Sequence, residues 1–167
     1  MVFSFVAKML TTATILYSAL SACTAPNPRQ VRNGHGTLSA PSSGSIVSQG
    51  SSFPFEFQDS NWCEDGYSAI TVWLTNYAPT TSSLNSTGQF PEGEYSWYYG
   101  EYLIPNFGLP VLSGSTPPPS SLVLPESLNL SPGDEAYLAV VETGTNCPPG
   151  LNIPPQYELT DLVMTVG

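Results

Sequence analysis

The feature that most constrains the fold is an alternation of apolar and polar residues, interrupted by short runs rich in Pro, Gly, Ser and Thr. In "FPFEFQ", Phe53, Phe55 and Phe57 alternate with proline or polar residues. Because successive side chains of a strand point to opposite faces, this spacing predicts a strand with one apolar face. Pro54 cannot donate a backbone hydrogen bond, so we expect this strand to begin there or to run along an edge.

The same alternation recurs in three longer segments, 67–76, 135–144 and 158–167. Both faces of the first two are partly apolar, which favours central strands. In the last, we expect Leu162, Met164 and Val166 to point inward. Shorter strand candidates follow the same reasoning: 36–40, 45–48, 95–104 and 122–124. No stretch free of Pro and Gly has a helical apolar stripe, so the pattern predicts an all-β sandwich of about seven or eight strands.

The N-terminus has the pattern of a secretory signal. Lys8 precedes an apolar stretch, Met9–Leu20, and small residues follow it. This stretch is too short and too Thr-rich to span a bilayer. We therefore expect a signal peptide over residues 1–22, a flexible leader over 23–35, a domain over 36–167 and no transmembrane segment. "LSAC", ending at Cys23, also has the form of a bacterial lipoprotein box, and this alternative stays open.

The cysteines and two sequons agree with export. Cys23 lies at the processing boundary, which leaves Cys63 and Cys147 as the natural disulfide pair in an oxidising compartment. The alternative is a pair of free, buried thiols. Asn85 and Asn129 each begin an Asn-X-Ser/Thr triplet and are candidate glycosylation sites, although Pro132 follows the second triplet.

The charge balance excludes one class of partner. The chain has 3 Lys and Arg against 13 Asp and Glu, and from Asn33 onward there is neither Lys nor Arg. Nucleic-acid binding needs cations that neutralise phosphates, so it is effectively excluded. Binding to an anionic membrane surface is disfavoured for the same reason. A neutral glycan or cell-wall polysaccharide is the class of partner that this charge permits.

Aromatic residues are concentrated in "GEYSWYYGEYLIPNFGLP", residues 93–110. In an unbroken strand, Tyr95, Trp97, Tyr99 and Glu101 share one face. Aromatic rings offer a flat apolar surface on which sugars stack. The sequence therefore predicts a glycan-binding face of Tyr95, Trp97 and Tyr99, with Glu94 or Glu101 at its rim. The alternative is that these rings fill the core, as aromatic residues often do in strands.

Enzymatic sites find little support in the sequence. The only histidine is His35, and no nucleophile motif of the Gly-X-Ser-X-Gly type exists. No Cys-X-X-Cys spacing and no second histidine support a metal site, so we expect no metal and no cofactor. Carboxylates beside the aromatic stretch permit a small glycosidase as a less favoured option. The prediction is that the protein is not an enzyme.

Two resemblances support this interpretation. "SAPSSGSIVSQGSSFPFEF" resembles the first two strands of the Ig-like module of fungal Ser/Thr-rich cell-surface proteins related to yeast cell-wall glucan-assembly factors. "FPFEFQDSNWCEDGYSAITVWL", "TGQFPEGEYSWYYGEYLIPNFGLP" and "NCPPG" are similar to small secreted proteins of mushroom-forming fungi whose function is unknown. The first resemblance implies an Ig-like sandwich, and both imply a secreted, extracellular fungal protein. Neither supplies a catalytic residue.

Together these patterns predict a secreted, non-enzymatic binding or cell-surface module for a neutral glycan or wall polymer. The alternative is a structural or interaction protein, similar to a secreted effector, that has no small-molecule site.

Overall fold

The structure, a computed structural model, describes residues 36–145, 147 and 153–167, and the backbone of residues 31–33. The predicted signal peptide, Cys23 and His35 lie outside the described residues. The described part contains ten strands and one short 3₁₀ turn at Thr81–Ser83. The strands in chain order are β1 Val31–Asn33, β2 Thr37–Ala40, β3 Ser45–Val47, β4 Ser52–Pro54, β5 Glu56–Gln58, β6 Tyr67–Thr75, β7 Trp97–Pro105, β8 Ser121–Val123, β9 Glu135–Gly144 and β10 Gln156–Val166.

Most of the strands form one mixed sheet of six. Its order is β1-β10-β9-β6-β7, and β3 also pairs with β10. The pairs β10–β9, β9–β6 and β6–β7 are antiparallel, whereas β1 and β3 run parallel to β10. The remaining strands form two short antiparallel pairs, β2 with β5 and β4 with β8.

The main core lies between the sheet and the two short pairs. Ile70, Val72 and Leu74 of β6 are fully buried in one cluster with Phe53 of β4 and Leu122 of β8. Their period of two places them on one face of the sheet, as predicted. Burial of each such side chain contributes about 1.5–3 kcal/mol, so this cluster is the main source of stability.

A second apolar cluster, which we call the outer cluster, covers the other face of the sheet. It contains Trp73 of β6, Val141 of β9, Tyr157 of β10 and Phe90 from the connection between β6 and β7. Gly88 in that connection has φ +75°, and a Cβ placed on it would overlap the ring of Tyr157. The connection can therefore lie close against the sheet, and this explains why both faces of β6 and β9 are apolar.

The all-β class and the Cys63–Cys147 disulfide are confirmed, with the two Cα atoms 5.1 Å apart. The strand count is higher than predicted because the segment 53–58 is divided at Phe55, so that β4 pairs with β8 and β5 pairs with β2. The first strand, β1, begins at Val31, before the predicted domain start at residue 36. It pairs with β10 and so extends the edge of the sheet. The Ig-like assignment stays a prediction.

Candidate functional site

A β-bulge in β7 decides which aromatic side chains reach the surface. Trp73 of β6 is opposite Tyr98, and the next residue back, Val72, is opposite Gly100. Tyr99 is therefore the extra residue, and Gly100 supports the irregularity with φ +132°. Since one inserted residue reverses the alternation beyond it, Tyr98 and Glu101 lie on the same face of the sheet, the face of Trp73.

Tyr99 belongs to the core rather than to a surface row. Its ring packs on the main core and meets Phe53 edge-on, with centroids 6.4 Å apart and planes at 82°. Burial, followed by the neighbouring Tyr102, raises the pKa of its hydroxyl. That hydroxyl is buried and finds no hydrogen-bond partner among the described residues. The prediction that Tyr99 lies on an exposed face is wrong, because the bulge turns this side chain inward.

Tyr95 and Trp97 do not share a face either. Tyr95 precedes β7 and packs against Trp73 on the outer cluster, with ring centroids 4.8 Å apart. Trp97 is 41% exposed and is opposite Leu74, whose side chain faces the main core. The predicted common face of Tyr95, Trp97 and Tyr99 is therefore wrong, although Trp97 is exposed as expected.

Tyr98, which the alternation placed on the other face, provides the accessible ring. Its side chain is 39% exposed and lies over Trp73 with centroids 4.2 Å apart and planes at 34°. Trp73 is itself buried and is fixed by a hydrogen bond from its Nε1 to the Thr71 hydroxyl at 2.8 Å. The result is a flat aromatic surface, backed by a second ring and open on one side.

The two rim carboxylates have different surroundings. Glu101 is exposed and lies on the same face of β7 as Tyr98. Burial, and then the charge of Glu101, raises the pKa of the Tyr98 hydroxyl. Glu94 is also exposed, but the Tyr77 hydroxyl donates to its backbone oxygen at 3.0 Å and to Oε2 at 3.4 Å. Glu101 is therefore the carboxylate available beside the exposed ring.

An open cleft continues from Glu101 along the edge of the sheet. Its volume is about 290 Å³, and its lining comprises Glu101, Tyr102, Leu103 and the turn 114–116. The Leu103 amide donates to the Thr116 carbonyl at 2.9 Å, which joins β7 to the turn that lines the cleft. The Tyr102 hydroxyl donates to the Tyr99 carbonyl at 3.0 Å. These two bonds occupy parts of the free edge of β7 and so protect it from pairing with another strand.

The aromatic and carboxylate groups thus meet at one place on β7. The arrangement offers a stacking surface, a charge-bearing acceptor and hydroxyl or backbone groups in the cleft, and its chemistry is that of polar recognition beside an aromatic ring. Within the described ranges, no three His, Cys, Asp or Glu side chains come together as a metal ion would require.

Two buried carboxylates face each other across β9 and β10. Glu142 of β9 is 3% exposed and is directly opposite Glu158 of β10, which is 1% exposed. The Ser60 amide and hydroxyl donate to the Glu142 carboxylate at 3.5 and 3.4 Å. Burial raises the pKa of Glu142, and the charge of Asp59 acts in the same direction, whereas the bonds from Ser60 lower it.

This shift predicts that stability depends on pH. The folded state holds the Glu142 proton more tightly than the unfolded chain does, so its stabilising effect is complete below the ordinary pKa of 4.5. It is lost as pH rises through the higher pKa of the folded state. We expect Glu142→Gln to flatten the decline in unfolding free energy above pH 4.5, measured by urea denaturation. The control is Glu92→Gln, which removes an exposed carboxylate. An unchanged pH slope in Glu142→Gln contradicts the assignment.

The two predicted glycosylation sites are both exposed. Asn85 lies in a turn in which its Oδ1 accepts bonds from the Thr87 amide at 2.8 Å and the Thr87 hydroxyl at 2.7 Å. Asn129 lies between Leu128 and Leu130, which pack on the main core. Glycosylation at either residue stays a prediction.

Comparisons with known proteins do not extend this account. No family model, no curated protein and no solved structure matches the chain. Among the described residues, no helix has the length and apolar character that crossing a membrane requires.

Proposed function

We propose that the protein is a secreted, non-enzymatic module that binds a neutral glycan through Tyr98, Glu101 and the adjoining cleft of β7. The observation that carries the proposal is the half-exposed ring of Tyr98, held over Trp73 at 4.2 Å and placed beside Glu101 by the bulge. The exposed face of this ring suits the apolar face of a sugar, and the Glu101 carboxylate accepts hydrogen bonds from sugar hydroxyls.

The electrostatics support an uncharged ligand. The described residues carry all 13 acidic side chains of the sequence, and the sequence has no Lys or Arg after Arg32. Among the described residues no cation neighbours Glu101 to offset the repulsion of an anionic polymer, whereas a neutral glycan carries no such cost. The site is also shallow, and a cleft of about 290 Å³ accommodates one sugar unit better than a buried small molecule.

An extracellular location belongs to the same proposal. The disulfide between Cys63 and Cys147 is compatible with an oxidising compartment. The N-terminal signal pattern and the two exposed sequons support export, and Asn85 lies in an exposed turn in which its Oδ1 accepts a bond from the Thr87 hydroxyl.

The proposal is tested by pull-down on insoluble β-glucan and chitin, together with a glycan array. We expect Tyr98→Ala to lose at least tenfold in retention on the polymer that wild type binds. The unfolding free energy should fall by about 1–3 kcal/mol, because the variant loses one aromatic pair and the partial burial of the ring. Glu101→Gln should weaken binding less, because the amide still offers one acceptor oxygen.

Trp97→Ala is the matched control. Trp97 is exposed to nearly the same extent as Tyr98, at 41% against 39%, but it extends from the other face of β7. The Trp97→Ala variant should therefore retain the glycan binding that Tyr98→Ala loses. Equal losses in both variants, or no retention of wild type on any neutral glycan, would reject the proposed site.

A second candidate function is that of an interaction protein without a small-molecule site. The observation that favours it is a segment after β7, Phe107–Leu112, which we call the apolar loop. It presents four exposed apolar side chains to solvent.

A further inference from the structure

We propose that the apolar loop docks into an apolar pocket of a protein partner and that Lys or Arg residues border that pocket. The loop follows the end of β7 at Pro105, whereas Tyr98 lies near its start. This inference therefore does not depend on glycan binding, and either proposal can fail without the other.

The apolar character of the loop is concentrated rather than scattered. The exposed fractions are 73% for Phe107, 40% for Leu109, 52% for Val111 and 48% for Leu112. Eight large apolar side chains are exposed in the described part of the chain, and these four fall within six consecutive residues. Single exposed apolar residues need no explanation, but a contiguous group of them marks an interaction surface.

Hydrogen bonds tie the loop down at its start, its middle and its end. Asn106 anchors the start of the loop. Its backbone N–H donates to the Gly66 carbonyl at 2.9 Å, and its side-chain Nδ2 donates to the Asp65 carbonyl at 3.0 Å. The Tyr67 hydroxyl donates to the Pro110 carbonyl at 3.0 Å, and the Ser115 hydroxyl donates to the Leu112 carbonyl at 2.8 Å. A loop fixed before binding loses less conformational entropy on docking.

The backbone at Phe107 is also unfavourable for an apolar side chain. Its φ of +54° lies in the left-handed region, which bulky residues rarely adopt. The chain thus exposes the Phe107 ring although this costs free energy twice, through the strained backbone and through the apolar surface left in water. Such strain is frequent where a segment is held ready for a ligand.

The charges beside the loop indicate the chemistry of the partner. Leu109 lies against Gly66, because a Cβ on that glycine would be 2.9 Å from Leu109 Cδ1. The two residues before Gly66 are Glu64, which is exposed, and Asp65. No Lys or Arg follows Arg32 in the sequence, so no later residue of this chain can offset these two charges. A basic border around the partner's pocket is the complement of this surface.

Other occupants fit the same surface less well. A second copy would bring two chains of net charge −10 together, each with Glu64 and Asp65 beside the contact. An anionic bilayer would be repelled by the same residues, and a zwitterionic bilayer offers no net positive charge to meet them. A basic protein gains from both the apolar and the charged part of the surface.

The test compares the wild-type chain with three variants, each immobilised and exposed to extracellular proteins of the source organism. Phe107→Ser/Val111→Ser removes apolar contact area, and Glu64→Gln/Asp65→Asn removes the charges. Ile46→Ser is the matched control, because Ile46 is 75% exposed but lies on β3. Species retained by wild type and Ile46→Ser but not by the loop variant are identified by mass spectrometry, purified and titrated by calorimetry.

The proposal expects a purified basic protein that binds the loop variant at least tenfold more weakly than wild type. Binding should also weaken severalfold with Glu64→Gln/Asp65→Asn or in 0.5 M salt. At that salt concentration the Debye length is about 3–5 Å, so the attraction between exposed charges is largely screened. Circular dichroism and thermal melting confirm that each variant is folded. The proposal is overturned if no retained species depends on the loop, or if the loop-dependent protein is acidic. It is also overturned if the loop instead mediates binding to phosphatidylcholine vesicles or dimer formation in sedimentation runs.

Discussion

Replacing Cys63 and Cys147 together by serine is expected to lower the free energy of unfolding by about 4–5 kcal/mol. The two cysteines are 84 residues apart in sequence, so the bond closes a long loop in the unfolded chain. Without the bond the unfolded chain regains the entropy that loop closure had removed, and the folded state is disfavoured by that amount.

This loss is measured by urea denaturation of the double variant beside wild type. Cys23→Ser is the control, because the Cys63–Cys147 pair forms without Cys23. A marginally stable domain has about 5–15 kcal/mol in total, so the double variant should be close to unfolding at 37 °C. A change below about 1 kcal/mol would contradict the view that this bond is a main stabilising element.

The second large effect is expected for Trp73→Ala, with a loss of about 3–5 kcal/mol in unfolding free energy. Trp73 is 4% exposed, and its ring contacts three other aromatic rings, those of Phe90, Tyr95 and Tyr98. Truncation leaves a cavity under the connection between β6 and β7, and it also removes the support of Tyr98. Trp73→Ala should therefore lose stability and glycan retention together, whereas Tyr98→Ala should lose mainly retention.

Trp73→Phe separates these two roles of the indole. The smaller ring keeps an aromatic surface beneath Tyr98 but leaves part of the space empty and removes the bond to Thr71. We expect partial loss of stability with most of the glycan retention preserved. Normal stability in Trp73→Ala, measured by thermal and urea unfolding, would show that the outer cluster is not a second core.

The strands could be predicted from the sequence because their apolar residues alternate strictly. Ile70, Val72 and Leu74 are all fully buried, and Leu162, Met164 and Val166 face the core as expected. The apolar outer faces of β6 and β9 correctly predicted that both sides of the sheet are covered. The division of segment 53–58 at Phe55 could not be predicted, because it depends on two different partner strands rather than on local pattern.

The candidate site was predicted only in part, because one inserted residue changes every face assignment beyond it. The sequence does contain a signal for the bulge, since Gly100 interrupts an otherwise aromatic strand. Local alternation could not show that Tyr99 would turn inward or that Tyr98 would lie over Trp73. Those contacts depend on the register between β6 and β7.

The apolar loop was missed for a different reason. "FGLPVL" has too few residues between its Gly and Pro positions to show any period, so nothing in its composition separates an exposed loop from a buried one. Its exposure is determined by the bonds of Asn106 and Tyr67, which join residues about 40 positions apart in sequence. The same holds for Glu142, whose burial depends on its position opposite Glu158 and Ile70.

The bulge at Tyr99 brings Tyr98 and Glu101 to one face of β7, where we propose that they bind a glycan. The most direct measurement is a titration of the ¹⁵N-labelled domain with soluble oligosaccharides of glucose and of N-acetylglucosamine, followed by amide chemical shifts. We expect saturable shifts centred on Tyr98 and Glu101 and extending to Ser115 and Thr116 across the cleft. Shifts centred elsewhere, or none with either sugar series, would contradict it.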